Sequence, residues 1–136
     1  MNINKILIKT NSLLNEITFE EGSNSWYLTF DNNVSFSFET FWRLFNNDIP
    51  ILISNDHRQQ FGLPKPVDLI AEFKSQLDKK TLKEILIEKN TGDLSLTFDE
   101  NIKLVAYIAS MGYESYSVFA DGKQYIGGGG GEITIF

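Results

Sequence analysis

Short runs of alternating apolar and polar residues, separated by Asn, Asp and Gly, dominate the chain. Trp26–Phe30 and Val34–Phe38 alternate and flank Asp31-Asn32-Asn33, a hairpin pattern because Asn and Asp tolerate left-handed turn conformations. Short strands are also expected at Lys5–Lys9 and Glu16–Glu20, while Glu39–Phe45 reads as either strand or helical turn. Pro50 before Ile51-Leu52-Ile53 fits the start of a strand or an edge strand. Residues 54–66 form an irregular connection that Pro64 and Pro66 keep from continuing as helix.

Helical spacing stands out over Val67–Leu77. Leu69, Ile70, Phe73 and Leu77 share a face, and Pro66 is placed at the entrance. Thr81 with Glu84 could cap a second helix, but Lys83–Glu88 also reads as a strand that turns at Asn90–Asp93 into Leu94–Phe98. Further strands are expected at Ile102–Ile108, Glu114–Phe119, Gln124–Ile126 and Ile133–Phe136, with Asp121-Gly122 as a tight turn.

A shift of 68 positions decides the contested segment. Glu16, Ile17 and Glu20 then fall on Glu84, Ile85 and Glu88, Leu28–Asp31 falls on Leu96–Asp99, and Asn33 falls on Asn101. That makes eight identities over residues 16–34, where typical residue frequencies give roughly one. Strand is therefore preferred at 84–88. The expected fold class is α+β: antiparallel β-meanders, a duplicated strand-turn-strand unit, and one main helix packed on the sheet. The expected organisation is a single domain over 1–136, with halves 1–62 and 81–136 joined by a loop and helix at 63–80. Hairpins that merely share turn chemistry are the alternative to duplication.

Composition narrows the chemistry. The 136 residues include no cysteine, which excludes a disulfide framework and thiolate zinc. His57 is the single histidine, so no metal site is expected, and no cofactor. No secretory leader or membrane-spanning run is apparent, so a cytoplasmic protein is expected. Net charge is −6, which disfavours nucleic acid and suits a basic protein partner. Residues 91–136 carry two Lys against six acidic residues, whereas 63–90 carry six Lys against five. No sequence pattern sets an oligomeric state.

Candidate chemistry is sparse, and no catalytic residue is assigned. His57 lacks a Gly-x-Ser-x-Gly partner, so it reads as a hydrogen-bonded loop residue, with general-base chemistry as the alternative. Gly127–Gly131 could expose backbone N–H groups to an anion, but no Lys-Ser or Lys-Thr follows, and a bulged link between strands is the simpler reading. A small-ligand site or minor enzyme would use His57, Arg58, Gly128 and Gly129. An interface would use Glu114 and Tyr116, which strand alternation places on one face, with Tyr113 turned into the core.

Gly112-Tyr113-Glu114-Ser115-Tyr116, followed by Asp121-Gly122, the glycine run and Glu132–Phe136, resembles a family of small bacterial domains with a Gly-Tyr-Glu-Ser-aromatic motif and a Gly-rich turn. Thr91–Phe98 shares the likeness, which covers residues 80–136. Tyr116 stands where the family pattern has Trp, and the glycine run lacks a proline. Members are often encoded near polymorphic toxins, so the resemblance implies an immunity-type role: binding and occluding a toxin. It implies no catalytic residues.

Overall fold

The computed structural model describes residues 4–136; the first three positions of the expected 1–136 domain and of its 1–62 half lie outside the described residues. Eleven strands form one antiparallel sheet: β1 (Lys5–Glu20), β2 (Ser25–Phe30), β3 (Val34–Phe38), β4 (Trp42–Asn46), β5 (Ile49–Ile53), β6 (Thr81–Glu88), β7 (Leu94–Phe98), β8 (Ile102–Ala106), β9 (Tyr116–Ala120), β10 (Lys123–Gly127) and β11 (Ile133–Ile135). Their order is β11-β10-β9-β3-β2-β1-β6-β7-β8-β4-β5. One α-helix, α1 (Leu69–Gln76), and three short 3-10 turns complete the fold. The α+β expectation holds. Among the described residues, no helix is long and apolar enough to cross a membrane.

The organising element is β1. Its first part, Lys5–Leu13, pairs with β6, and its second, Leu14–Glu20, pairs with β2. One strand therefore belongs to two half-sheets. The halves face each other: Trp26 of β2 meets Trp42 of β4 at 5.2 Å between ring centroids, although four strands separate them in the sheet order. Phe30 approaches Phe98 in the same way, at 6.1 Å. A single apolar core fills the space between, and α1 adds Leu69 and Phe73 to it.

The helix is shorter than Val67–Leu77. Asp68, in an extended conformation, is its N-cap and accepts from the Ala71 N–H at 3.2 Å; Leu77 is its C-cap. Pro66 thus precedes the cap by two residues instead of opening the helix. The Asp68 carboxylate satisfies an N–H that the first turn leaves free.

Pairing registers in the two halves coincide at the 68-residue shift. Leu14↔Phe30, Ile17↔Leu28 and Phe19↔Trp26 in β1–β2 match Leu82↔Phe98, Ile85↔Leu96 and Ile87↔Leu94 in β6–β7. Each pairing is interrupted at the same place, between Leu14 and Glu16 and between Leu82 and Glu84. The residue after each second strand plays the same part. Asp31 Oδ1 accepts from the Leu13 N–H at 2.8 Å, and Asp99 Oδ2 accepts from the Thr81 N–H at 2.8 Å. Hydrogen bonding to that N–H holds the Asp99 carboxyl below its usual range, and Lys83 and Lys80 add to the effect.

Each half is completed by the hairpin that follows the other. β4–β5 comes after β3 in the chain but pairs with β8; β9–β10 comes after β8 but pairs with β3. Two crossover segments, 39–41 and 107–115, carry the chain between half-sheets. They meet where the Glu39 N–H donates to the Ser115 carbonyl at 2.9 Å.

The outer faces of the two halves differ. On the β6 side, outward Lys5 and Lys9 of β1 pair with Glu88 and Glu84, and Lys103 and Arg43 continue the charged surface. On the β2 side, one cross-strand row reads Phe136, Gln124, Phe119, Ser35, Thr29, and the next reads Thr134, Ile126, Ser117, Ser37, Tyr27. No side chain of these two rows is charged until β1 contributes Glu16 at the margin.

Candidate functional site

The meeting of the two crossovers builds the most distinctive surface of the molecule. Phe41 and Tyr107, one from each crossover, stack with ring centroids 4.9 Å apart and planes inclined by 19°. The Tyr107 hydroxyl accepts from Arg43 Nη2 at 2.7 Å, tying the second crossover to β4. The Ile108 N–H donates to Asp93 Oδ1 at 3.0 Å, and the Ala109 N–H to Ser115 Oγ at 3.0 Å.

Beyond Ala109 the chain makes a tight turn. Ser110 Oγ accepts from both the Gly112 and Tyr113 N–H groups at 3.0 Å, and the Ser110 carbonyl accepts from the Gly130 N–H at 2.9 Å. The glycine run lies against this turn. A Cβ on Gly129 would stand 2.3 Å from the Met111 carbonyl oxygen, so only glycine permits the approach. The backbone of the turn is therefore fixed while its side chains project outward. Met111 is 86 % and Tyr113 79 % exposed, with Glu114 exposed beside them. Glu39 and Glu132, also exposed, lie on the segments joined to this turn, and among the described residues none of these three carboxylates has an ion-pair partner.

A recess of about 420 Å³ opens beside the turn, lined by Trp26, Glu39, Thr40, Asn55, His57 and Ala109 among others. The His57 ring is edged by Phe19 at 5.1 Å and Trp26 at 4.9 Å between centroids. Its Nδ1 accepts from the Leu69 N–H at 3.1 Å, which assigns the proton of the neutral ring to Nε2. The 3.4 Å approach of Arg58 Nε to Nε2 then brings two donors together and is not counted as a bond. Burial lowers the His57 pKa, and nearby Asp68 opposes that shift. Arg58 is committed to an ion pair with Glu21. Thr40 is a lining residue whose buried hydroxyl has no hydrogen-bond partner among the described residues.

The structure brings only some of the sequence-based candidates together. His57 lines the recess and also shares a neighbouring surface pocket with Arg58, Pro66 and Ile70. Gly128 and Gly129 line neither. The N–H groups of Gly128, Gly130 and Gly131 donate to the carbonyls of Glu132, Ser110 and Gly128, so the run offers no open row of donors to an anion. Its glycines serve close backbone approach instead.

Tyr116 requires a correction. It was expected to be exposed with Glu114, with Tyr113 in the core, but Tyr116 is fully buried and Tyr113 projects. The cause is that β9 begins only at Tyr116, so Tyr113 and Glu114 belong to the turn and escape strand alternation. Met111, Tyr113 and Glu39 were missed as a surface. The available signal was Ser110 two residues before Gly112, a pattern in which a hydroxyl can hold a turn.

Among the described residues no group of three or more His, Asp or Glu side chains is arranged to hold a metal. No family model, no curated protein and no solved structure matches the chain.

Proposed function

We propose that this chain is a non-enzymatic protein-binding domain that receives a basic partner at the crossover end, in the manner of an immunity-type protein occluding a toxin. The observation that carries the reading is the locked turn at Ser110–Glu114. It holds Met111 and Tyr113 in solvent on a fixed backbone, beside carboxylates that have no ion-pair partner among the described residues. Large side chains held in place lose little entropy on binding, and aromatic anchors dominate interface energetics. The acidic excess steers a basic partner toward the site. The resemblance of residues 80–136 to toxin-associated bacterial domains supplies the partner class, and a cytoplasmic location goes with it.

The reading includes an origin by duplication of one strand-turn-strand unit. It is supported by the coincident registers, the coincident interruptions and the Asp31 and Asp99 bonds.

The test is capture of the neighbouring gene product by the purified protein, followed by association rates at low and high salt. A captured basic protein that binds more slowly at high salt, and more slowly still to Glu114→Lys, supports the proposal. A partner indifferent to both overturns it. The alternative, a small polar ligand in the recess, is favoured by the unpartnered Thr40 hydroxyl near His57. It would show as ligand-induced shifts of the His57 ring resonances with no partner present.

A further inference from the structure

We infer that the uncharged outer face of β2, β3, β9, β10 and β11 is a self-association surface, occupied by the same face of a second copy of this chain. The chain carries −6 overall, so two copies repel wherever their charged surfaces meet. The β6-side face is laced with Lys–Glu pairs, and the crossover end carries exposed carboxylates. The β2-side face presents two adjacent rows of uncharged side chains across five strands. Two acidic copies can press together there without setting like charges opposite one another.

The chemistry of the face is complementary to itself. Ser37 and Ser117 lie across β3–β9 with hydroxyl oxygens 3.1 Å apart, and hydroxyls both donate and accept. A two-fold axis can therefore pair the row with its own image. Exposed aromatic rings stand on both sides of that hydroxyl pair: Tyr27 on β2, 39 % exposed, Phe119 on β9, 44 %, and Phe136 beyond β11, 72 %. These supply the apolar area that a hydroxyl row lacks.

Size sets the strength. Five strands about 4.8 Å apart and about 17 Å long give a face on the order of 400 Å² in plan. Two such faces total about 800 Å², below the range of stable interfaces and within that of transient ones, so the dimer is weak and depends on concentration. Its salt response is opposite in sign to that of a basic partner. Screening relieves repulsion between copies, so salt strengthens the dimer while it slows capture of a basic protein.

Sedimentation equilibrium of the whole chain, over a concentration series up to about 1 mM at low salt and at about 0.5 M salt, tests this. The average mass is expected to rise from 15.5 kDa toward twice that value, and to do so at lower concentration in high salt. Phe119→Lys and Ser117→Lys place a charge on the face without touching the core and should weaken association about tenfold or more. Glu114→Lys lies off the face and lowers the repulsion between copies, so it should not weaken association, which separates this surface from the crossover end. A chain that stays monomeric at the highest concentration and salt, or a dimer insensitive to both face variants while their circular dichroism stays native, overturns the inference.

Discussion

Tyr116 and Gly127 face each other across β9 and β10, and the tyrosine ring occupies the space a side chain on the glycine would need: a Cβ there would lie 2.3 Å from ring Cε2. The ring continues inward until its hydroxyl donates to the Gly92 carbonyl at 2.6 Å. That bond fixes the β6–β7 turn to β9. Burial, together with Asp93, pushes the Tyr116 hydroxyl pKa well up, so it stays protonated and able to donate. Gly127→Ala is expected to destabilise by roughly 1–3 kcal/mol through overpacking. Tyr116→Phe should cost about 1–3 kcal/mol, because it strands a carbonyl at a buried residue. Urea unfolding midpoints check both.

Phe73 is the anchor of α1. It is fully buried, and its ring meets Trp42 edge-on at 5.3 Å between centroids. Phe73→Ala should cost roughly 3–5 kcal/mol, whereas Ile70→Ala, at a position only half-buried, should cost less. Near-equal losses in chemical denaturation would mean that the helix docks by a different face.

The hairpins were legible because their turns and alternation are local. Asp31-Asn32-Asn33 and Asp121-Gly122 sit where the structure turns, and the repeat correctly drew Glu84–Glu88 into β6. β1 was not legible as one strand. Lys5–Lys9 and Glu16–Glu20 read as separate pieces because Thr10–Asn15 is mixed and the strand shifts register twice, after Lys9 and after Leu14. A strand that changes partner midway has no single alternation to read. The exchange of hairpins between halves was hidden for a related reason, since sequence shows neighbours along the chain and β4 finds its partner in β8, far along it. At the crossover end, strand alternation was extended three residues too far, into a turn held by Ser110 Oγ that has no period at all.

Acid should unfold the protein in two separable windows. His57 has a lowered pKa in the folded state, so the unfolded chain binds its proton first. Its contribution is complete above the ordinary value of 6.5 and is lost as pH falls below that, toward the lowered folded value. Protonation puts a second donor against the Leu69 N–H and leaves the start of α1 without its acceptor. Asp68, near the ring, favours the cation and works against the effect of burial. Asp99 acts lower: its carboxyl is held below its ordinary value of 3.8, so its contribution is present above that value and is lost as pH falls through the depressed one. Unfolding midpoints measured between about pH 8 and about pH 3 should show both losses. His57→Gln should flatten the upper window and leave the lower one, and Asp99→Asn should do the reverse.

Met111, Tyr113 and Glu114 should divide the work of binding between rates. Met111 and Tyr113 are exposed and project from a backbone held by Ser110 Oγ and the Gly130 N–H, so truncating either leaves the fold untouched. Their stability cost to the free protein should stay within about 0.5 kcal/mol. Their role in a complex is as anchors, so Tyr113→Ala should raise the dissociation rate of a bound basic partner, with a loss of about 2 kcal/mol if the ring is a central contact. Glu114 acts at longer range. Glu114→Lys should lower the association rate chiefly at low salt, because screening already removes that attraction at high salt. Ser110→Ala gives the sharpest check. It touches neither anchor nor charge, yet it removes the acceptor for two N–H groups and frees the turn to move. Binding should then weaken through lost pre-organisation while Glu114 keeps its effect on the association rate. A Ser110→Ala protein that binds as tightly as the parent would show that a fixed turn is not what the partner recognises.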